Sequence, residues 1–316
     1  MSAGRNVAAL DCGSNSTRLL ISDPEGNALV REMHVTRLSE GVDQTGELQQ
    51  AALERNFQQL ATYRELMDQH KVGEGLLVAT SAVRDANNGE EFLRRASALT
   101  GVEARLLSGD EEARLSFQGA TADLPFSAEP YLILDVGGGS TELAVPVEGR
   151  LRSFSMQLGC VRVAERTLGT EPATAEKIAD TWLMVRGELD RAFREEPLFG
   201  EVVGKVKLIG LAGTVATLIQ LAQGVDEYRR EAVHHQRATL SQVREWRERL
   251  SGESADVRLQ HAGMSAGRED VLHAGLFVLE EVMVRFGVTE LLSSENDILD
   301  GIIQLLLSSH PNQVLV

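Results

Sequence analysis

Short apolar runs separated by turn residues open the chain: Val7 to Asp11, Thr17 to Ile21 and Ala28 to His34, each bounded by Gly, Asn or Asp. Runs of this length and spacing predict an antiparallel meander. The period then changes. From Leu48 to His70 apolar residues recur at helical spacing, at Leu53, Phe57, Leu60, Tyr63, Leu66 and Met67, with Gly73 just beyond. That pattern predicts the first long helix. A strand over Gly75 to Thr80, a helix over Gly89 to Leu99, a strand over Val102 to Leu107 and a helix from Ser108 follow. Alternating strands and helices predict an α/β architecture.

At Tyr131 the opening pattern returns. An apolar strand ends in Asp135, a Gly/Ser turn follows, and a second strand runs from Glu142 to Val145. Asp11 and Asp135 are separated by about the length of a domain, so the repeat is a duplicated core rather than an array of short units. The prolines in Asp123 to Pro130 mark a boundary. The expected domains are 1–125 and 126–296, with a terminal helix at about 297–316 packing back on the first. Further helices are expected around Thr174 to Arg194, Leu240 to Leu250 and Asp270 to Phe286. Val206 to Ala222 is apolar but interrupted by Gly210, Gly213, Thr214, Thr217 and Gln220; it reads as a strand, a glycine turn and a helix rather than a membrane span.

Composition narrows the function classes. With 47 acidic and 31 basic residues the formal net charge is −16, which argues against a nucleic-acid binder or a polybasic membrane-surface protein. Only four basic residues are lysines (Lys71, Lys177, Lys205 and Lys207), so a phosphate ligand would be held by arginine. Cys12 and Cys160 form neither a disulfide framework nor a zinc pattern. Met1 to Asn6 precedes no signal-peptide core, and the expected location is the cytoplasm.

Two segments join a carboxylate to a tight turn between strands: Asp11-Cys-Gly-Ser-Asn-Ser16 and Asp135-Val-Gly-Gly-Gly-Ser-Thr-Glu142. Successive backbone N–H groups and hydroxyls in such turns can bind anions, and a strand-end Asp suits Mg²⁺. One copy alone is more often a Gly-rich hairpin turn; two copies, a domain apart and facing each other, reverse that preference. A third loop, Gly210 to Ala216, opens a helix and suits either a phosphate or a close strand–helix contact. Ser108 and Glu111 have capping-box spacing, which gives Glu111 a structural role. Glu112 is left either to complement the helix dipole or to activate a water. Arg84 follows an apolar strand and suits a phosphate or an ion pair, and Arg18 and Arg268 are further candidates.

Other signals fail on context. Gly263-Met-Ser-Ala-Gly267 fits a nucleophile-elbow pattern but lacks a preceding apolar strand. Gly200 to Lys205 is one residue short of a P-loop. His234 and His235 lack one-face helical metal spacing and read as solvated or loop histidines.

Together the chain resembles the exopolyphosphatase and guanosine pentaphosphate phosphohydrolase (Ppx/GppA) family. The resemblance is carried by Asp11 to Arg18, Ala79 to Ala86, Leu107 to Arg114, Asp135 to Glu142 and Leu211 to Thr214. It implies two duplicated RNase H-like domains of the actin, Hsp70 and sugar-kinase superfold with an interdomain cleft, in a short two-domain form. It puts the catalytic base at Glu112, with Arg84 as a cationic clamp, and Mg²⁺, or Mn²⁺ in its place, at Asp11, Asp135 and Glu142. Phosphate contacts fall on Ser14, Asn15, Ser16, Gly137, Gly138, Gly139, Ser140, Thr141, Gly213 and Thr214. Arg18 and Arg268 match positions that meet a guanosine nucleotide. The implied reaction removes the terminal phosphate of polyphosphate, with short chains favoured on charge grounds. Guanosine pentaphosphate is the alternative substrate and (p)ppGpp the implied inhibitor; a homodimer is one state the family pattern admits. An ATP-dependent small-molecule kinase and a silent alarmone-binding regulator are the rival readings. One departure stands out: where the family often carries Gly-Leu-Arg-Glu-Gly, this chain has Asp297-Ile-Leu-Asp-Gly301.

Overall fold

The computed structural model describes residues 5–308. In chain order it contains β1 (Asn6–Cys12), β2 (Ser16–Ser22), β3 (Ala28–Val35), α1 (Val42–Thr45), α2 (Gln50–Gln69), β4 (Val72–Ala79), α3 (Ser81–Arg84), α4 (Gly89–Thr100), β5 (Glu103–Leu106) and α5 (Gly109–Thr121). Then come β6 (Tyr131–Val136), β7 (Thr141–Val147), β8 (Arg150–Met156), α6 (Cys160–Val163), α7 (Ala175–Glu195), β9 (Lys207–Leu211), α8 (Ala212–Gln223), α9 (Arg230–Val233) and β10 (Arg237–Thr239). The last elements are α10 (Leu240–Ser251), α11 (Ala255–Arg258), α12 (Leu272–Arg285), β11 (Glu290–Ser293) and α13 (Ile298–Leu307). The chain divides into two units: one runs to Gly119 and resumes at Ile298, and the other is Ala120–Asp297. Residues 1–4, at the start of the expected first domain, and 309–316, the end of the expected terminal helix, lie outside the described residues.

Sheet topology shows the duplication. Unit 1 has the strand order β3-β2-β1-β4-β5, and unit 2 has β10-β11-β9-β6-β7-β8. In unit 1, β1 pairs antiparallel with β2, β2 antiparallel with β3, β1 parallel with β4 and β4 parallel with β5. In unit 2 the same senses link β6 with β7, β7 with β8, β6 with β9 and β9 with β11. Each unit therefore contains a three-strand meander extended by two parallel strands, which need helical crossovers, and unit 2 adds β10 antiparallel to β11 at its edge. The expected two-part α/β fold is present.

Alternation along β1 splits the unit 1 core into two layers, because successive strand side chains point to opposite faces. Ala8, Leu10 and Cys12 pack with Leu53, Leu60, Tyr63, Phe92 and Ala96 of α2 and α4. Val7 and Ala9 pack with Leu115 of α5 and with Ile298, Leu299, Ile302 and Ile303 of α13. Unit 2 has a single larger core in which the almost wholly buried α12 takes part. Sequence patterning missed β8, β10 and β11. β8 carries Arg150 and Arg152 and only Met156 is buried, and β10 is three residues long, so neither has a clear apolar period. Among the described residues no helix is long and apolar enough to cross a membrane.

The Asp297–Gly301 departure acquires a structural account. Leu299, where the family often has arginine, is buried in the α13 layer. Asp300 forms an ion pair with Arg31 of β3 at 2.5 Å. Gly301 has no room for a side chain: a Cβ there would lie 2.2 Å from the Leu115 carbonyl oxygen. Gly301→Ala is expected to push α13 away from α5 and destabilise the protein by about 1–3 kcal/mol, the range for overpacking a tight core. Urea unfolding checks this.

Candidate active site

The two Asp-loop segments are β-hairpin turns at corresponding places in the two sheets. In unit 1, Asp11 is the penultimate residue of β1 and its cross-strand partner is Arg18. Both Arg18 Nε (2.9 Å) and Nη2 (2.6 Å) donate to Asp11 Oδ2. In unit 2 the corresponding register pair is Asp135 with Glu142. Both carboxylates are largely buried, and Ser155 of β8 donates to Glu142 Oε1 at 2.7 Å. The register thus sets an arginine opposite the aspartate in one hairpin and a glutamate opposite it in the other.

The carbonyl groups of both loops are held from outside. In unit 1 the Ser39 N–H donates to the Ser14 carbonyl, and the Thr36 and Arg37 N–H groups donate to that of Asn15. The Gly13 N–H closes the turn on the Ser16 carbonyl. In unit 2 the Cys160 N–H donates to the Gly137 carbonyl, and the Val161 and Arg162 N–H groups donate to that of Gly138. Arg162 Nε also donates to the Gly139 carbonyl at 2.7 Å. Ser140 and Thr141 are buried. Asn15 Nδ2 and Thr141 Oγ1 are buried without a hydrogen-bond partner, a costly condition for polar groups that a bound anion would relieve.

Within unit 1 the structure connects the first loop to the other candidates. The Ser14 and Ser81 hydroxyls are 2.9 Å apart, and Ser81 begins the short helix α3 that ends at Arg84. Arg84 Nη1 donates to the Leu107 carbonyl at 2.8 Å and lies 3.5 Å from Glu112 Oε2. Arg84 Nη2 is buried with no partner. The capping box at the start of α5 is as expected: the Ser108 N–H and hydroxyl both donate to Glu111 Oε2 at 2.8 Å, and the Glu111 N–H returns to Ser108 Oγ. These bonds, led by the Ser108 backbone N–H, hold the Glu111 carboxyl below its ordinary range. Glu111 is thereby occupied by the cap, and the buried Glu112 is the acid directed at Arg84.

In unit 2 the second loop connects to the third. Cys160, whose N–H holds Gly137, and Thr214 both lie against Gly275 of α12; burial pushes the Cys160 thiol up, while the Arg268 charge opposes the shift. The Arg268 guanidinium lies against Gly213, where a Cβ would sit 1.9 Å from Nη2 and displace that flexible side chain. Arg268 is therefore seated against the β9–α8 turn, in which Ala212 takes a left-handed φ of 65°. Its approach to Gly213 had no signal in the sequence, because Arg268 follows a stretch of irregular turns. The elbow-like Gly263 to Gly267 lies among those turns with helix α11 before it, not a strand, so it has no nucleophile-elbow setting.

Two further features differ from appearance. His234 and His235, with Asp123, bring three metal-ligand atoms within 4.8 Å. However, His234 Nδ1 accepts the Glu295 N–H at 3.1 Å, so its proton resides on Nε2, which donates to Asp123 at 2.9 Å. That tautomer offers no Nε2 lone pair to a metal. Cys12 lies within the first loop but is buried, and burial, with Asp11 nearby, raises its thiol well above the usual range.

A family model described as the Ppx/GppA phosphatase family matches residues 21–310. The chain is 38% identical over 312 residues to exopolyphosphatase 2 of Mycobacterium tuberculosis, a match covering 94% of this chain and 97% of that one. Among solved structures, an exopolyphosphatase-like protein superposes with a TM-score of 0.87 at 33% identity, covering 94% of this chain and 97% of that chain. The Ppx/GppA family member from Aquifex aeolicus superposes with a TM-score of 0.77 at 26% identity, covering 97% and 99%.

Ser108→Ala is expected to cost about 1 kcal/mol at neutral pH, the usual value of an N-cap. A carboxyl lowered in the folded state stabilises above its unfolded pKa and loses that contribution as pH falls through the folded value. The gap between Ser108→Ala and the parent in urea unfolding should therefore narrow on acidification. Both cysteines should resist a disulfide thiol reagent at pH 8 in the native protein and react after guanidinium unfolding.

Proposed function

The chain belongs to the Ppx/GppA phosphatase family, and from that premise we propose that it is an exopolyphosphatase that releases the terminal phosphate of linear polyphosphate. The observation that carries the reading is the Arg84–Glu112 pair. It sets a buried carboxylate, not consumed by the helix cap, beside a guanidinium whose Nη2 has no partner in the fold. A carboxylate there suits a general base, and the guanidinium nitrogen suits a phosphate oxygen.

In this reading Asn15 Nδ2, Thr141 Oγ1, the Ser14, Ser16 and Ser140 hydroxyls and the N–H groups of Gly137 to Gly139 bind the phosphate chain. Gly213, Thr214 and Arg268 support them from the third loop. Glu112 accepts a proton from a water whose oxygen attacks the terminal phosphorus; the anhydride P–O bond breaks, and orthophosphate and the shortened chain leave. Arg84 holds the oxygen charge that the terminal phosphoryl group carries through this step.

The donor set also fits a hard divalent cation. Asp135 and Glu142 are direct cross-strand partners, and like charges so placed repel each other, a strain that Mg²⁺ or Mn²⁺ would offset. Asp11, its Oδ2 engaged by Arg18, would contribute through water. When bound, the cation would neutralise charge on the phosphate oxygens. Short chains are the favoured substrates because a long polyanion would extend over a molecule of net charge −16.

Orthophosphate release should be measured with Mg²⁺ on short polyphosphate, long polyphosphate, guanosine pentaphosphate and ATP. The expected order places short polyphosphate first, and chelation by EDTA should abolish release. Faster release from guanosine pentaphosphate would transfer the assignment to that substrate, and ADP formation with a phosphorylated acceptor would replace it with a kinase. Glu112→Gln should lower kcat about 100-fold or more, as expected on losing a general base. Arg84→Ala should raise KM about tenfold, the effect of one charge-assisted hydrogen bond. Undiminished turnover by the Gln variant would remove Glu112 from the base role.

A further inference from the structure

We propose that Asn56, on α2, is a positioning residue for the Asp11–Ser16 loop; this rests on the reading of that loop as a phosphate-binding element. Helix α2 buries a stripe of Leu53, Asn56, Leu60, Tyr63 and Met67 against the sheet. Asn56 interrupts an otherwise suitable apolar face, and its side chain is fully buried. Burial of an amide is tolerated only where its hydrogen bonds are made. They are made to two residues that lead directly to the loop.

Asn56 Nδ2 donates to Thr17 Oγ1 at 2.6 Å and to Thr36 Oγ1 at 3.3 Å, and these two hydroxyls are 2.9 Å apart. Its Oδ1 accepts from the Cys12 thiol at 3.8 Å. Cys12 enters the loop and Thr17 leaves it; Thr36 is the residue whose N–H, with that of Arg37, holds the Asn15 carbonyl. A single amide therefore connects the entry, the exit and the outer brace of the turn. Neighbouring side chains of α2 reinforce the same points. Arg55 Nε donates to the Thr36 carbonyl at 3.0 Å, and the Tyr63 hydroxyl donates to the Thr17 carbonyl at 2.9 Å.

A purely structural role would not require this chemistry. With leucine at position 56 the Thr17 and Thr36 hydroxyls retain each other as partners, so the loss of the amide's bonds is only partly offset and some loss of stability accompanies the change. What leucine removes is the fixed distance between β2 and the Thr36–Ser39 brace. That distance sets where the Asn15 side chain stands and keeps Arg18 in register with Asp11.

Asn56→Leu should be compared with the parent by amide hydrogen exchange on the free protein and by kinetics on short polyphosphate. Exchange at Thr36, Arg37 and Ser39 should quicken about tenfold, as a locally opened brace would, while residues 137–141 of the second loop exchange as before. KM should rise about tenfold, the scale for displacement by a residue remote from the chemistry, with a smaller change in kcat. Thr36→Val cuts the same link from the loop side and should reproduce the pattern if the leucine variant is too unstable to purify. Unchanged exchange over residues 36–39 would overturn the proposal, as would a fall in melting temperature with unchanged KM. If the parent releases no phosphate from polyphosphate, the substrate reading fails, and the exchange comparison alone decides the role of Asn56.

Discussion

Cross-strand register is the constraint on which the rest of this protein depends. In each unit the first two strands pair so that a strand-end aspartate meets the residue seven positions later: Asp11 faces Arg18, and Asp135 faces Glu142. Because side chains alternate with a period of two, a one-residue slip of either strand in a hairpin would turn its member of the pair to the opposite face, away from the other. The buried layers of β1 and β6, the helices packed on them and the braces on the turn carbonyls all secure that register. The duplicated architecture consequently places different residues at equivalent register positions, Asp11 with Arg18 in unit 1 and Asp135 with Glu142 in unit 2.

The turns themselves contribute little rigidity. Each is held by N–H groups from a segment later in the chain, Thr36 to Ser39 in one unit and Cys160 to Arg162 in the other. Using up the carbonyls in this way favours a turn whose remaining backbone donors can serve an anion, which reconciles an acidic protein with the proposed polyanionic substrate. Charge over the whole molecule governs nonspecific association, whereas local donors govern a site. Helix α2 extends the bracing in unit 1 through Asn56, Arg55 and Tyr63, and in unit 2 Gly275 of α12 lies against both Cys160, which braces the second loop, and Thr214 of the third.

Much of this was legible from residue order. Apolar period located β1, β2, β6, α2 and α12, and the return of an Asp-plus-turn pattern at Asp135 announced the duplication. The spacing of Ser108 and Glu111 correctly assigned the cap and so separated Glu111 from Glu112. Strands β8, β10 and β11 were not legible, because short or charge-bearing strands take their stability from neighbours rather than from their own pattern. Nor was the seating of Arg268 against Gly213, which depends on two segments far apart in the chain.

Sequence alone determined which residue types were available: two carboxylate-bearing turns, a cap that occupies Glu111, few lysines and a net charge that disfavours nucleic acid. Local chemistry such as a cap or a turn is encoded within a few residues, so it can be read without the fold. Tertiary structure decided who meets whom: Arg18 engages Asp11, Arg84 approaches Glu112, Leu299 enters the core where an arginine is often found, and Asn56 ties a helix to a loop. Those pairings arise from packing between distant segments, where burial and hydrogen-bond satisfaction are properties of the assembled core rather than of any stretch of the chain.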